Sequence, residues 1–247
     1  MSNRAAHGRV LEKTTKHTYV KEATVTRVLY LKASPRKTES QSTQLADAYL
    51  ATLRSNNPGL EVDTIDLWEE DLPAFDGDKN AAKLNVIAGQ EPNGSQRTAW
   101  DEVVTIANRF IAADRYLIAT PMWNTGIPYR LKHYIDLIHQ PRLLWGLDPE
   151  KGYYGLLENK QATLALTSGV YAPGVAPAFG VDHQSTYLRD WLNQAGVVEI
   201  DELRFQPSIL TADPVGDFEV ACGRAVRLAQ QHGRLSSLSQ PARLGRV

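Results

Sequence analysis

Residues 114–140 read DRYLIATPMWNTGIPYRLKHYIDLIHQ, and this stretch decides the fold. The apolar run at 116–120 predicts a strand buried on both faces, which stops at Pro121. A turn follows at 122–126, rich in residues that tolerate unusual backbone angles. Pro128 then suits the first turn of a helix. The apolar stripe of that helix consists of Leu131, Tyr134, Ile135 and Ile138.

The position of this turn gives it a possible role. In an open α/β sheet, ligands bind in the crevice beyond the carboxyl ends of the strands. The turn at 122–126 carries an aromatic residue and an amide at such a place, so we expect it to contribute to a ligand site. The alternative is a plain strand–turn–helix connection.

The composition is that of a globular chain. Its 247 residues fit one domain or at most two small ones, and a hydrophobic content of 43% allows a sizeable core. The net charge of −1 provides no global field that would favour nucleic acid or an anionic membrane. The one cysteine, Cys222, excludes an internal disulfide and suits a reducing compartment. With no apolar run of membrane length and no secretory signal, we expect a cytoplasmic protein.

Both ends of the chain differ from its centre. Residues 1–24 are polar with little periodicity, and they predict a flexible extension or a dimer arm; tag sequence is a further alternative. Residues 235–247 predict a flexible C-terminal tail. Residues 25–234 are expected to form the folded domain.

Strands and helices alternate along this domain. We predict strands at 26–32, 60–67, 116–120, 162–167 and 197–205. We predict helices at 42–55, at 96–113, after Pro128, at 184–195 and at 214–232, the last broken near Gly233. Two long segments, 68–95 and 141–159, are expected to be loops, the first with room for one short helix.

This alternation is typical of an α/β fold, a three-layer sandwich in which a parallel sheet carries helices on both faces. Five strands favour the flavodoxin-like order 2-1-3-4-5. No G-x-G-x-x-G follows the first strand, which disfavours a classical NAD-binding domain. In the predicted order, the loops 33–42, 121–127 and 168–174 leave neighbouring strands and converge on one edge.

The first of these loops predicts a phosphate site. Ser34, Thr38, Ser40 and Ser42 supply hydroxyl groups. A helix begins at Gln41, so free amides and the positive end of the helix dipole face the loop. Arg36 and Lys37 add positive charge or are simply solvated. The P-loop pattern is absent, which disfavours a nucleotide triphosphatase. The alternative is that Ser40 or Ser42 only caps the helix.

The second and third loops suit a flat ring. Met122 and Trp123 offer apolar contact, and the main chain of Trp123, Asn124 and Thr125 could read the polar edge of a heterocycle. The third loop, residues 167–171, could close over the other end of the ring. The alternative is an ordinary turn in which glycine provides a positive φ.

These residues resemble a known family. PMWNTGIPYRLKHYIDLI, residues 121–138, is similar to the P-M-Y/W-N-x-x-I-P-x-x-L-K-x-Y/W-I/F-D segment of FMN-dependent NADH–azoreductases, relatives of the flavodoxin-like NAD(P)H:quinone reductases. SQSTQLAD at 40–47 resembles the family's S-x-S phosphate loop. DLWEEDLPAFDGD at 66–78 resembles its D-L-x(4)-[LI]-P-x-x-D-G stretch, and residues 167–169 the start of its T-S-x-G-G loop. The resemblance covers about residues 26–210.

The resemblance implies roles for individual positions. The FMN phosphate and ribityl chain would be held by Ser34, Ser40, Gln41 and Ser42. The isoalloxazine would be lined by Pro121, Met122, Trp123, Asn124 and Thr125, and its pyrimidine side by Ser168 and Gly169. The chain departs from the family at Val170 and Tyr171, where a second glycine is usual, and at Thr125, where an aromatic residue is common. We expect these departures to affect substrate specificity more than FMN binding.

The resemblance also implies the activity. NADH or NADPH would pass hydride to the flavin and leave, and a quinone or azo compound would then take two electrons at the same face in a ping-pong exchange. Tyr171 and His183 are the candidate catalytic proton donors. The alternative for His183, which we favour from the sequence alone, is a histidine of a surface loop. A homodimer is expected. Trp145, Tyr153 and Tyr154 are candidates for a substrate wall across its interface, or for local packing of their loop.

Other functions are disfavoured by what the sequence lacks. His133 and His139 are not at metal-binding spacing and no H-E-x-x-H occurs, so no metal site is expected. No G-x-S-x-G is present, which disfavours a hydrolase. A flavodoxin-like electron carrier without its own NAD(P)H oxidation is the main alternative, and a scaffold without flavin is another. The near-neutral charge and two long aromatic loops argue against the carrier. Neither nucleic acid nor a membrane is an expected partner.

Overall fold

The computed structural model describes residues 26–238, with side chains through residue 233. It contains seven strands: β1 (Arg27–Lys32), β2 (Glu61–Asp66), β3 (Arg115–Pro121), β4 (Trp145–Asp148), β5 (Gly152–Gly155), β6 (Gln161–Thr167) and β7 (Glu199–Phe205). It contains six α-helices: α1 (Gln41–Asn56), α2 (Gly77–Ile87), α3 (Gly94–Ile111), α4 (Tyr129–Ile138), α5 (Ser185–Ala195) and α6 (Pro214–Leu238).

Five strands form one parallel sheet in the order β2-β1-β3-β6-β7. The predicted five-stranded parallel sheet is therefore confirmed. The order reads 2-1-3-6-7 rather than the predicted 2-1-3-4-5 because β4 and β5 precede the last two strands of the sheet in the chain. The register pairs Lys32 with Ala119 and Pro121 with Thr167, so β1, β3 and β6 end close together.

Two clusters of buried side chains use alternate residues of the central strands, as the period of a β-strand requires. In β1, Leu29 and Leu31 belong to a cluster with α3, α4 and α5, while Val28 and Tyr30 belong to a cluster with α1 and α6. The two cores hold the helices against the sheet and fix the strand ends from which the loops of interest leave.

The long segment at 141–159 was wrongly predicted to be a loop. It contains an antiparallel hairpin, in which Trp145 pairs with Gly155 and Asp148 with Gly152. Its strands have four residues each, and glycines at three of those positions hide the strand pattern from a sequence reading. Trp145 is buried against Tyr153, with ring centroids 5.1 Å apart, so it belongs to the core. Tyr153 and Tyr154 remain exposed.

The C-terminal helix also differs from the prediction. It was expected to break near Gly233 and to give way to a tail from residue 235, but α6 continues to Leu238. Gly233 allows α6 to pack closely against the end of α1, since a Cβ at this position would lie 2.9 Å from the Cβ of Asn56. The predicted extension at 1–24 and the rest of the predicted tail lie outside the described residues. The short helix expected within 68–95 is present as α2.

Two absences hold for the part of the chain that the structure describes. Its helices do not combine the length and apolar character that a membrane crossing requires. It holds no group of three or more histidine, cysteine, aspartate or glutamate side chains that could bind a metal ion.

Close packing between the hairpin and α5 leads to a first prediction. A Cβ at Gly155 would lie 2.1 Å from the amide nitrogen of Gly196, in the backbone that ends α5. Because backbone there must shift, we expect Gly155→Ala to lower the free energy of unfolding by about 1–3 kcal/mol. Gly59→Ala is the matched control, since no atom lies within 4 Å of its added Cβ. Urea denaturation measures both, and equal stability of the two variants would contradict this packing.

A half-buried histidine predicts a pH dependence of stability. Burial lowers the pKa of His139 from 6.5 to about 4, and its buried Nδ1 has no hydrogen-bond partner among the described residues. The unfolded chain therefore takes up this proton first, so the histidine costs stability as pH falls from 6.5 to about 4. We expect His139→Leu to flatten the decline of the unfolding free energy in this window. Parallel curves for variant and wild type, from urea titrations at each pH, would disprove it.

Candidate functional site

The first loop ends in a helix start that is built to face a ligand. Ser40 caps α1: its hydroxyl accepts from the Thr43 amide at 3.4 Å, and its carbonyl accepts from the Gln44 amide at 2.9 Å. The amides of Gln41 and Ser42, at the first two helical positions, have no intrahelical acceptor by geometry. The Ser42 hydroxyl is fully buried and lies 3.0 Å from the Ser40 hydroxyl. Ser42 can thus offer its amide, while its side chain orients Ser40.

Positive charge near this helix start comes from Arg36. Its guanidinium lies 3.9 Å from Glu39, and its side chain is 67% exposed, so it is loosely held. Lys37, in contrast, is paired with Glu69 in the loop after β2. Arg36 is therefore the cation of this loop that lines the cleft.

The second loop is a tight two-residue turn. The Trp123 amide donates to the Gly126 carbonyl at 3.0 Å, and the Gly126 amide donates back at 2.9 Å. Asn124 and Thr125 lie between them with φ of 48° and 67°. The Trp123 amide and carbonyl are both bonded inside the turn. A contact between its main chain and the edge of a ring stays a prediction. The amides of Asn124 and Thr125 are the ones that such a turn leaves facing outward.

The third loop is tied to the chain after β7. The amides of Ser208 and Ile209 donate to the carbonyls of Ser168 and Gly169, at 2.8 and 2.9 Å. The Ser168 hydroxyl donates to the Tyr171 carbonyl at 2.5 Å. Gly169 lets this chain approach, since a Cβ there would lie 2.7 Å from the Cδ1 of Ile209.

One cleft brings the three loops together. Eight of the predicted cofactor-binding residues line it: Ser34, Ser40, Gln41, Pro121, Met122, Trp123, Ser168 and Gly169. The other three, Ser42, Asn124 and Thr125, are not among the residues that line it. The sequence analysis missed Ser208 and Ile209, which also line the cleft. Their position after a strand adjacent to β6 is the signal that could have found them.

The candidate catalytic side chains, Tyr171 and His183, lie in the segment between β6 and α5 and do not line this cleft. The Tyr171 hydroxyl is 3.4 Å from Asp182, and burial with the nearby Asp182 charge raises the pKa of Tyr171, so it keeps its proton. His183 is exposed, and its amide donates to the Thr125 carbonyl at 3.0 Å. His183 thus joins this loop to the turn at 123–126 through its main chain.

Asp182 anchors that loop. It accepts from the Ser185 amide at 2.7 Å and the Ser185 hydroxyl at 2.6 Å, and from Arg204 of β7 at 3.3 Å. Burial alone would raise the pKa of Asp182, but these bonds hold it below the ordinary value. The buried Gln184 next to it donates to the Thr120 carbonyl at 3.0 Å. Together these bonds join the loop to β3 and β7.

Comparisons with known proteins agree with this architecture. A protein family described as having a flavodoxin-like fold matches residues 26–217. An FMN-dependent NADH:quinone oxidoreductase from Ruegeria pomeroyi is 48% identical over 197 residues, covering 80% of this chain and 97% of the relative. An FMN-dependent NADH:quinone oxidoreductase 3 from Pseudomonas fluorescens is 35% identical over 210 residues, covering 84% and 97%.

A solved structure shares the fold. The FMN-dependent NADH-azoreductase from Bacillus anthracis str. Ames Ancestor, in complex with FMN, gives a TM-score of 0.75 at 22% identity. The match covers 84% of this chain and 99% of that chain. At this identity the likeness concerns the fold.

The anchoring of the chain just before α5 by Asp182 gives a prediction. Asp182→Ala removes the acceptor at the start of α5, so we expect the free energy of unfolding to fall by about 1 kcal/mol and amide exchange at Ser185 to accelerate. Asp182→Asn is the matched control, because its amide oxygen can still cap the helix while the charge facing Arg204 is lost. Hydrogen-exchange mass spectrometry should rank wild type, Asn and Ala in order of increasing exchange. Identical exchange in all three would show that Asp182 does not hold this loop.

Proposed function

Because this chain belongs to the flavodoxin-like family that includes the FMN-dependent NADH:quinone oxidoreductases, we propose that it is an FMN-dependent enzyme that moves two electrons from NADH to a quinone or an azo compound. The observation that carries the proposal is the meeting of a serine-capped helix start with an aromatic turn in one cleft. When bound, FMN supplies the chemistry by accepting a hydride and giving two electrons to the acceptor.

The phosphate end of the cleft has the donors that a phosphorylated cofactor needs. The hydroxyls of Ser34 and Ser40, the amides of Gln41 and Ser42, and the positive end of the α1 dipole favour an anion there. Arg36 adds charge at the edge of the cleft. The bond between the Ser40 and Ser42 hydroxyls fixes the direction of the Ser40 side chain, so the donor set is arranged before the anion arrives.

The ring end of the cleft suits a flat, partly polar heterocycle. Pro121, Met122 and Trp123 provide apolar contact. The amides of Asn124 and Thr125 have no acceptor inside the turn. We propose that they donate to the edge of the ring where negative charge develops on reduction. Ser168 and Gly169 would contact the opposite edge. Gly169 keeps that side open, because its lack of a side chain leaves room beside Ile209.

The protein's contribution to the reaction is to bind, orient and stabilise charge. Tyr171 holds its proton and stays a candidate donor to the reduced acceptor. His183 is the second candidate. The proposal extends to NADPH as a possible donor, to a homodimer whose interface includes Tyr153 and Tyr154, and to a cytoplasmic location; these stay predictions.

Anaerobic reduction by pyridine nucleotide tests the proposed function. The protein, purified and loaded with FMN, should lose its flavin absorbance near 450 nm within seconds of adding NADH, and a quinone should restore it. Double-reciprocal plots against NADH and quinone should be parallel, as a ping-pong exchange requires. If FMN binds but neither NADH nor NADPH reduces it, the enzyme proposal is wrong and the electron carrier is favoured instead. Absence of FMN binding would disprove the proposal.

A pair of variants in the first loop provides the matched control for this test. Ser40→Ala removes a hydroxyl that lines the cleft, and we expect it to raise the FMN dissociation constant about tenfold. Thr38→Ala removes a hydroxyl from the same loop at an exposed position outside the cleft. Its FMN affinity should equal that of the wild type, as measured by quenching of flavin fluorescence.

A further inference from the structure

Three aromatic rings form a cluster on the β2 side of the cleft. Trp68 follows β2, Trp123 lies in the turn after β3, and Tyr129 begins α4. The ring centroids of Trp68 and Trp123 are 5.8 Å apart, and those of Trp68 and Tyr129 are 5.4 Å apart. Of these three rings, Trp123 lines the cleft, whereas Trp68 and Tyr129 do not.

Trp68 is held from several directions. Its indole Nε1 donates to the Ala33 carbonyl, just after β1, at 3.0 Å. Its own amide donates to the Asp66 carboxylate at 3.0 Å. Arg130 of α4 fixes the surrounding chain by donating to the carbonyls of Leu67 at 2.6 Å and Glu70 at 2.5 Å. The indole is therefore bonded to the chain just after β1, its main chain is held at the end of β2, and the chain around it is bonded to α4.

Trp123 depends on this neighbour for the position of its side chain. Its main chain is fixed by the turn, but its indole is only partly buried. Its other aromatic contact, Tyr129, lies 6.3 Å away and is 63% exposed, so that ring offers a weaker support. Of the two rings that contact Trp123, the ring of Trp68 is better anchored than that of Tyr129.

We propose that Trp68 is a positioning residue that holds the Trp123 indole in place at the ring end of the cleft. It thereby shapes the part of the cleft into which the flat cofactor ring fits. The inference rests on the proposed function, since it assumes that this end of the cleft takes the ring. A wall fixed in advance loses less side-chain freedom on binding, so it improves affinity without touching the ligand. Trp68 links the ring end of the site to the first loop through Ala33.

The test compares two tryptophan removals. Trp68→Leu deletes the ring behind Trp123, and Trp100→Leu deletes a buried indole from α3, in the core cluster. Both should lose stability, but only Trp68→Leu should shift or broaden the Trp123 signal in ¹⁹F NMR of the 5-fluorotryptophan-labelled apoprotein. It should also raise the FMN dissociation constant about fivefold, the effect of losing one aromatic pair. The FMN dissociation constant of Trp68→Phe should lie between those of wild type and Trp68→Leu, because this variant keeps a ring but loses the bond to Ala33.

The outcomes separate this inference from the proposed function. Trp123→Phe assigns the Trp123 signal. If wild type binds FMN and Trp68→Leu leaves both the Trp123 signal and the FMN dissociation constant unchanged, Trp68 has no positioning role. An equal rise in the dissociation constant for Trp100→Leu would show a general loss of stability and would also overturn the inference. Wild-type protein that binds no FMN would instead contradict the proposed function.

Discussion

The parallel register of β1, β3 and β6 is the constraint on which the site depends. The pairing continues one residue past the strands: the Ala33 amide donates to the Ala119 carbonyl at 2.9 Å, and the Met122 amide donates to the Thr167 carbonyl at 2.7 Å. The first and second loops therefore leave the sheet with Ala33 and Met122 already fixed. Because all three strands point the same way, these fixed residues lie at one edge, and the cleft forms between them.

Main-chain and side-chain groups make different contributions to the site. At the phosphate end, the donors are the start of a helix and the hydroxyls that cap and orient it. At the ring end, a turn closed on itself carries Trp123 into the cleft and leaves the amides of Asn124 and Thr125 outward. The loop on the far side depends on Asp182 and on its bonds to Ser185 and Arg204. Few of these groups need to react chemically, which suits a protein whose cofactor carries the electrons.

Much of this arrangement could be predicted from the sequence because it depends on local patterns. The buried runs of β1, β3 and β6, the turn after Pro121 and the serine before α1 each have a short-range signature. The hairpin at 145–155 could not be predicted in this way, since its four-residue strands are stabilised by packing against α5 rather than by propensity. The continuation of α6 through Gly233 has the same kind of cause, a close approach to Asn56. Ser208, Ile209 and the contact of Trp68 with Trp123 require knowledge of which elements are neighbours in space.

We propose that this edge of the sheet holds FMN, with its phosphate at the start of α1 and its ring against the turn at 121–126. A crystal structure of the protein grown with excess FMN tests it most directly. We expect phosphate oxygens within hydrogen-bonding distance of the Ser40 hydroxyl and the Gln41 and Ser42 amides, with the ring beside Met122 and Trp123. A cleft filled by the protein's own side chains, or FMN bound at a different edge, would contradict it.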